Sequence, residues 1–352
     1  MILYALNFLS IPVYGRFIKN RKRLVQLICL QLFLILSLRA ETLGVDLVGY
    51  AVNFDAYKEL SFAEIIKGFR LFGNFDHGYG FESGFVVLCW ITGSLGLSFH
   101  GFLVVYAAIC LTSVGTFIYR YCKDIPMAFM VFLTFGAFVT FFGILRQSLG
   151  LAILLFAIPY LKERKFVKFL ILIFIAGLFH STMWLGLPLY FISKINVTRK
   201  IFVLGIFGSL FIIAAVPVIF PIQITPVLQL FSKNYEISGF EWNNMYLIIM
   251  FITILFTLMY KFEDKDESVF HWGFLFALMI QSVAFYMPLF SRVSNALFMN
   301  FLCVTFPPLI NILSKKFSII VKWLMVILML ALYIYSIDGN NLIPFIPFWS
   351  KT

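Results

Sequence analysis

Long apolar runs alternate along this chain with short basic clusters. The clusters are Arg16, Lys19, Arg21, Lys22 and Arg23; Arg120 and Lys123; Lys162, Arg164, Lys165 and Lys168; Lys194, Arg199 and Lys200; Lys261 and Lys265; and Lys315 and Lys316. Apolar runs of this length suit helices that cross a hydrocarbon core, and basic residues gather in the loops on the cytoplasmic side. An even number of crossings must then separate successive clusters. Residues 24–38 and 99–119 satisfy the first interval, followed by 126–142 with 147–161, 166–179 with 181–193, 201–221 with 244–260, and 268–289 with 294–313. Residues 1–15 precede them and 317–337 exit at the end. The pattern predicts one all-α polytopic integral membrane domain over residues 1–352, with about twelve spans and both termini outside. Residues Met1 to Tyr14 lack a basic leader and a small-residue cleavage site, so they are expected to be a membrane helix and not a removed signal.

The alternation closes only if residues 81–98 (FESGFVVLCWITGSLGLS) do not cross. Their Glu, Ser, Thr and Gly content predicts a re-entrant or half-embedded helix facing protein. Two outer loops remain, 40–80 and 222–243. Within the first, Phe62, Ile65, Ile66, Phe69 and Phe72 share one helical face and Glu64, Lys67 and Arg70 the other. This is an amphipathic helix, lying on the membrane or packed on the protein.

Composition sharpens the picture. Hydrophobic residues make up 62% of the chain and charged residues 12%, too few charges to cover a soluble domain. The net charge of +11 would suggest nucleic acid in a soluble protein. Here the cations sit in short loops, so no nucleic-acid partner is expected. None of the five cysteines forms a CxxC pair, which argues against a metal site or a disulfide framework. Phosphate-loop, dinucleotide, zinc-protease and nucleophile-elbow motifs are absent.

Ionisable residues near the hydrocarbon are costly and usually face an interior cavity. In the expected topology Arg39, Glu41, Asp46, Asp55, Asp76, His77, Glu82, Arg146, His180 and Arg292 all fall on the outer side. Arg39, Arg146 and Arg292 stand out, because cations are disfavoured there. Each has an ordinary reading as a snorkelling anchor or the partner of a carboxylate. Together they suit an anionic substrate, since planar guanidinium forks grip phosphates in pairs. Glu82, Asp46 and His180 are candidate bases for a hydroxyl. Their ordinary readings are a helix cap, a partner for Arg39 and a satisfied corner histidine. Tyr79, Trp90, Trp184 and Trp242 are candidates for stacking on sugar rings.

Four stretches carry a resemblance: SLRAETLGVDLVGY, HGYGFESGFVVL, GILRQSLGLAILLFAIPYLKERKFVKFLILIFIAGLFHSTMW and LFSRVSNALF. In order and spacing they resemble the EpsG-like branch of the Wzy-type polysaccharide polymerases, most specifically from Arg146-Gln147 to Phe179-His180-Ser181. The chain departs from that pattern at Ser83 and Phe85, where proline and tyrosine are common, and at Asn295-Ala296, where an aromatic residue often follows. The resemblance implies a GT-C-like helical glycosyltransferase at the outer face of a bacterial inner membrane. It would join oligosaccharide repeat units carried on undecaprenyl diphosphate into O-antigen, capsule or exopolysaccharide. No metal or cofactor is implied; the partners implied are the lipid-linked oligosaccharide, membrane lipids, a flippase and a chain-length regulator. On the residues, Arg146 and Arg292 with Arg39 would hold the diphosphate, and Glu82 would be the base. His180 would orient the acceptor or replace Glu82, with Asp46 as a further candidate. Gln147, Tyr79 and Asn295 would support substrate binding. A lipid-linked oligosaccharide flippase, an O-antigen ligase and a structural assembly factor are the rival readings.

Overall fold

The structure is a computed structural model. It describes residues 1–44, 46–76, 80–135, 137–223, 241–262, 267–287, 290–291, 293–294 and 301–350, with backbone alone over 219–223. Among these residues the fold is helical, and only isolated bridges pair extended backbone. A short helix, α5 (Ser83–Ser94), lies within the segment expected to be re-entrant. Among the described residues, four helices are long and apolar enough to cross a membrane: Phe99–Tyr121, Leu145–Lys162, Arg199–Val218 and Ile319–Gly339. A fifth candidate, over 126–142, is broken into Ile125–Thr134 and Ala137–Gly143, inclined by 53°. Shorter apolar helices include Phe166–Phe179, Asn244–Met259 and Ser268–Val283. These helices agree with a multi-pass membrane protein, while their lengths fall short of twelve full spans.

The chain divides into two compact units, Met1–Gly186 with Ile327–Thr352, and Leu187–Val326. In the first, α1 (Ile2–Phe17) and α2 (Arg21–Ser37) lead to a short helix that the hydrophobic pattern does not announce, α3 (Leu47–Lys58). Within the segment expected to be amphipathic lies a short helix, α4 (Phe62–Gly68), with a Ser61–Glu64 capping box and Phe62 and Ile66 exposed. Beyond α5 come α6 (Phe99–Tyr121), α7 (Ile125–Thr134), α8 (Ala137–Gly143), α9 (Leu145–Lys162) and α10 (Phe166–Phe179). The segment expected to span at 181–193 begins instead with a 3-10 turn over Ser181–Gly186.

Helix α9 packs along α6 and α10, α6 along α2, and α5 against α3 and α10. Large apolar side chains fill the spaces between them, including Phe85, Phe102, Phe129, Phe132 and Phe138, all fully buried. The chain returns to this unit at its end. Ala40 N donates to Ile346 O at 2.7 Å and Phe348 N to Leu38 O at 2.9 Å, around an antiparallel bridge between Arg39 and Pro347. Tyr4 Oη donates to Leu342 O at 3.0 Å nearby.

In the second unit, the helix Arg199–Gln223 packs on Asn244–Met259 and Ser268–Val283. Phe202, Phe256, Tyr260 and Phe262 surround His271 in its core, and Phe274 packs on Phe202 and Phe256. Asn243 Nδ2 donates to the backbone and side-chain oxygens of Gln281, each at 2.9 Å. The outer loop expected at 222–243 lies almost wholly outside the described residues.

Candidate active site

Three helix ends of the first unit converge. Glu82 is the residue before α5, so its carboxylate lies by the positive end of that helix dipole. Arg146 is in the first turn of α9. His180 ends α10, where its extended backbone (φ −160°, ψ 127°) turns the chain into the 3-10 segment. Gly84 permits the approach: a Cβ there would lie 2.7 Å from the Leu178 carbonyl oxygen of α10.

The result is a chain of contacts. Arg146 Nη1 donates to Glu82 Oε2 at 2.5 Å. His180 Nδ1 lies 2.6 Å from Glu82 Oε1, and Ser181 N donates to that same oxygen at 3.2 Å. The Glu82 side chain is 5% exposed, whereas Arg146 is 24% and His180 20% exposed. A buried carboxylate therefore joins a cation and an imidazole that both reach the surface. Such a group survives in a dry environment only with full hydrogen bonding and charge compensation. Burial pushes the Glu82 carboxyl up, but His180 and Arg146 outweigh it and hold it well below its usual range, at about 2.

The arginine is fixed from other sides too. Its Nε donates to Tyr50 Oη of α3 at 3.3 Å, and its guanidinium carbon stands 4.3 Å from the centre of the Phe81 ring. Tyr50 packs against Phe81 and Phe85 with ring centres 5.3 and 5.4 Å apart. Neither Tyr50 nor Phe81 stands out in the sequence as a functional residue. The available signal was their position, an aromatic ring directly before the acid and another in the segment after Asp46. Gln147 is buried, and its Nε2 reaches Thr182 Oγ1 at 3.5 Å.

The other candidates sit elsewhere. Arg39 is fully buried and makes no ion pair with Asp46. Its Nη1 donates to Leu36 O, and its Nη2 to Phe141 O and Phe142 O at 3.3 Å each. It thus caps the carbonyl ends of α2 and α8, where unsatisfied oxygens and the helix dipoles attract a cation. A guanidinium so enclosed presents no face to an anionic substrate. Asp46 is exposed at the start of α3, in a left-handed conformation (φ 66°), and its side chain does not cap the helix. Trp90 donates to Leu60 O at 2.8 Å and packs beside Phe62. Trp184 packs with Phe72 and Phe174, while Trp242 is 73% exposed in the second unit. His77, Tyr79, Arg292 and Asn295 lie outside the described residues. Among the described residues no three His, Cys, Asp or Glu side chains cluster as metal ligands would.

A carboxylate on one imidazole nitrogen orients the ring and leaves the other nitrogen to exchange a proton. A cation beside that pair can stabilise negative charge as it develops. A family model described as the EpsG family matches residues 22–350. No curated protein and no solved structure matches the chain.

Proposed function

Because the chain belongs to the EpsG family, whose members have a polysaccharide-polymerase-like, glycosyltransferase-like role, we propose that it joins lipid-linked oligosaccharide repeat units into a surface polysaccharide. The units would be carried on undecaprenyl diphosphate, and the reaction would take place at the outer face of a bacterial inner membrane. The observation that carries this reading is the contact chain Arg146–Glu82–His180.

His180 is the better base, with Glu82 as its positioning residue. Both carboxylate oxygens of Glu82 are engaged, and a carboxylate held so acidic accepts protons poorly. In the proposed step the acceptor sugar hydroxyl attacks the anomeric carbon of the growing chain. The bond from that carbon to the diphosphate oxygen breaks, and the hydroxyl proton passes to His180 Nε2. Arg146 compensates the charge that appears on the departing diphosphate. Tyr50 and Phe81 keep the guanidinium from having to reorganise during the step. Arg39 is assigned to the scaffold.

The deciding experiment is the glycan profile of a deletion strain complemented with wild type or with Arg146→Gln. Loss of polymerisation leaves single repeat units on the surface lipid or on the carrier, and Arg146→Gln should reproduce that profile while the protein is still detected in the membrane. Long polymer retained on the carrier would indicate a ligase instead. Absence of repeat units from the outer face would indicate a flippase. Full-length polymer from Arg146→Gln would discard the site.

A further inference from the structure

A groove lies at the far end of the first unit. Helices α2 and α6 enclose it, with a volume of about 560 Å3, in the size range of small-molecule sites. Its walls are mainly apolar, with Cys29, Phe33 and Leu111 among them, and Lys22 and Arg120 stand at one end. That end is remote from the candidate active site. Phe102, early in α6, packs on Phe85 of α5, and Arg120 is eighteen residues further along the same helix, roughly 27 Å at 1.5 Å per residue.

The groove is built into the helix packing. Gly115 brings α6 against α2 so closely that a Cβ would lie 2.6 Å from Cys29 Sγ. The Arg21 guanidinium ties the two helix ends together by donating to Tyr119 O, Cys122 O and Lys123 O at 3.1, 2.9 and 3.1 Å. Arg21 is thus engaged with backbone, which leaves Lys22 and Arg120 as the cations facing the groove. Among the described residues neither is in an ion pair. The acid whose field reaches Arg120, Glu163, is paired with Lys165 at 2.7 Å. Lys22 also lies in the first turn of α2, where the helix dipole adds to the positive potential.

An apolar slot between membrane helices that opens on two uncompensated cations complements an amphiphile with an anionic head. We propose that this groove binds one anionic phospholipid, its phosphate on Lys22 and Arg120 and an acyl chain along Cys29, Phe33 and Leu111. Basic pockets between membrane helices hold such head groups, and each cation contributes about a factor of five, so that two give about thirtyfold. The site is independent of the Glu82 cluster and of the reaction proposed there.

Native mass spectrometry of the purified full-length protein tests it, with phosphatidylglycerol or phosphatidylcholine added at equal concentration. Phosphatidylglycerol adducts should be retained about thirtyfold better. The exposed double variant K22Q/R120Q should lose that preference, and T112W, which fills the groove from an exposed position, should lose the adduct itself. Lys67→Gln, a cation elsewhere on the surface, should change nothing. Equal retention of the two lipids, or full retention by K22Q/R120Q, would overturn the proposal. So would displacement of the lipid by millimolar inorganic phosphate, which would mean that the acyl chain contributes nothing. A polyprenyl diphosphate held in preference to phosphatidylglycerol would assign the groove to a different ligand.

Discussion

Replacing Glu82 by Gln keeps the shape of the side chain and removes its charge, and either orientation of the amide fails at one end. If the amide oxygen faces Arg146, the NH2 group donates to His180 Nδ1. The imidazole must then carry its proton on Nε2, which can no longer accept one. If the oxygen faces His180 and Ser181 N, the NH2 group meets the Arg146 guanidinium with no acceptor between them. Hydrogen bonds to charged groups are worth about 1.5–3 kcal/mol each, and removing one partner of a fully buried pair costs about 3–5 kcal/mol. Glu82 is 5% exposed but its partners are 24% and 20% exposed, so solvent screens part of this and a loss of about 1–3 kcal/mol is expected. The effect on turnover should be larger, because fixing the wrong tautomer of a catalytic histidine lowers rates about 10^4-fold in the serine-protease triad. The assay pairs thermal unfolding of the purified protein with polymer yield in the complemented deletion strain. His180→Gln, and the double variant with Glu82→Gln, should each lower yield about as far as Glu82→Gln alone, since the two residues act as one unit. Wild-type polymer from Glu82→Gln at equal abundance would refute the dyad.

Arg39 and Arg146 should separate cleanly. Arg39→Gln leaves three helix-end carbonyls in an enclosed space without their cation and should lower protein abundance, at a cost of about 3–5 kcal/mol, whereas Arg146→Gln leaves Glu82 its contacts to His180 and Ser181 N and should cost less, about 1–3 kcal/mol, while abolishing polymer; immunoblots beside glycan gels read both. Because the Glu82 carboxyl is held below its usual range, its contribution to stability is fully present above about pH 4.5 and is lost as pH falls toward about 2. Acid titration of unfolding in detergent should show this slope in wild type and a shallower one in Glu82→Gln, and coincident profiles would contradict it. Gly84→Ala should push α5 away from α10 and weaken polymerisation by about tenfold or more, a 1 Å displacement being enough for such a loss; unchanged yield would show that the approach of these helices is not needed. Asp46→Cys is exposed beside the cluster's supporting helix, and a membrane-impermeant maleimide should label it in intact cells. Labelling only after permeabilisation would reverse the assumed orientation.

Much of the helical framework was legible because hydrophobic runs report directly on which segments avoid water. Helix α6 begins at Phe99 where the pattern places it, and α5 is short and rich in small residues as its sequence suggests. Helix α3 was not legible. Its apolar face is formed by Leu47, Tyr50, Phe54 and Tyr57 among polar neighbours, and only burial against α5 and α6 favours it. The break in 126–142 was hidden because the sequence stays apolar through it. At the site, polarity out of place singled out Glu82, Arg146 and His180, but not their partnership, since 64 and 98 residues separate the acid from the other two. The same signal singled out Arg39, which it could not distinguish. An arginine closing two helix ends and one awaiting an anion look alike until their neighbours are known.

The enclosure of Arg39 has a consequence for biogenesis. Its flank is closed by residues 346–348, which are synthesised long after the helices it caps, and the whole of the second unit emerges in between. Throughout that interval the ribosome-bound intermediate carries a half-sheltered cation in an apolar setting. Stalled or prematurely terminated chains therefore cannot complete the first unit, and they should be marked for membrane proteolysis even when every residue around Glu82 has already been made.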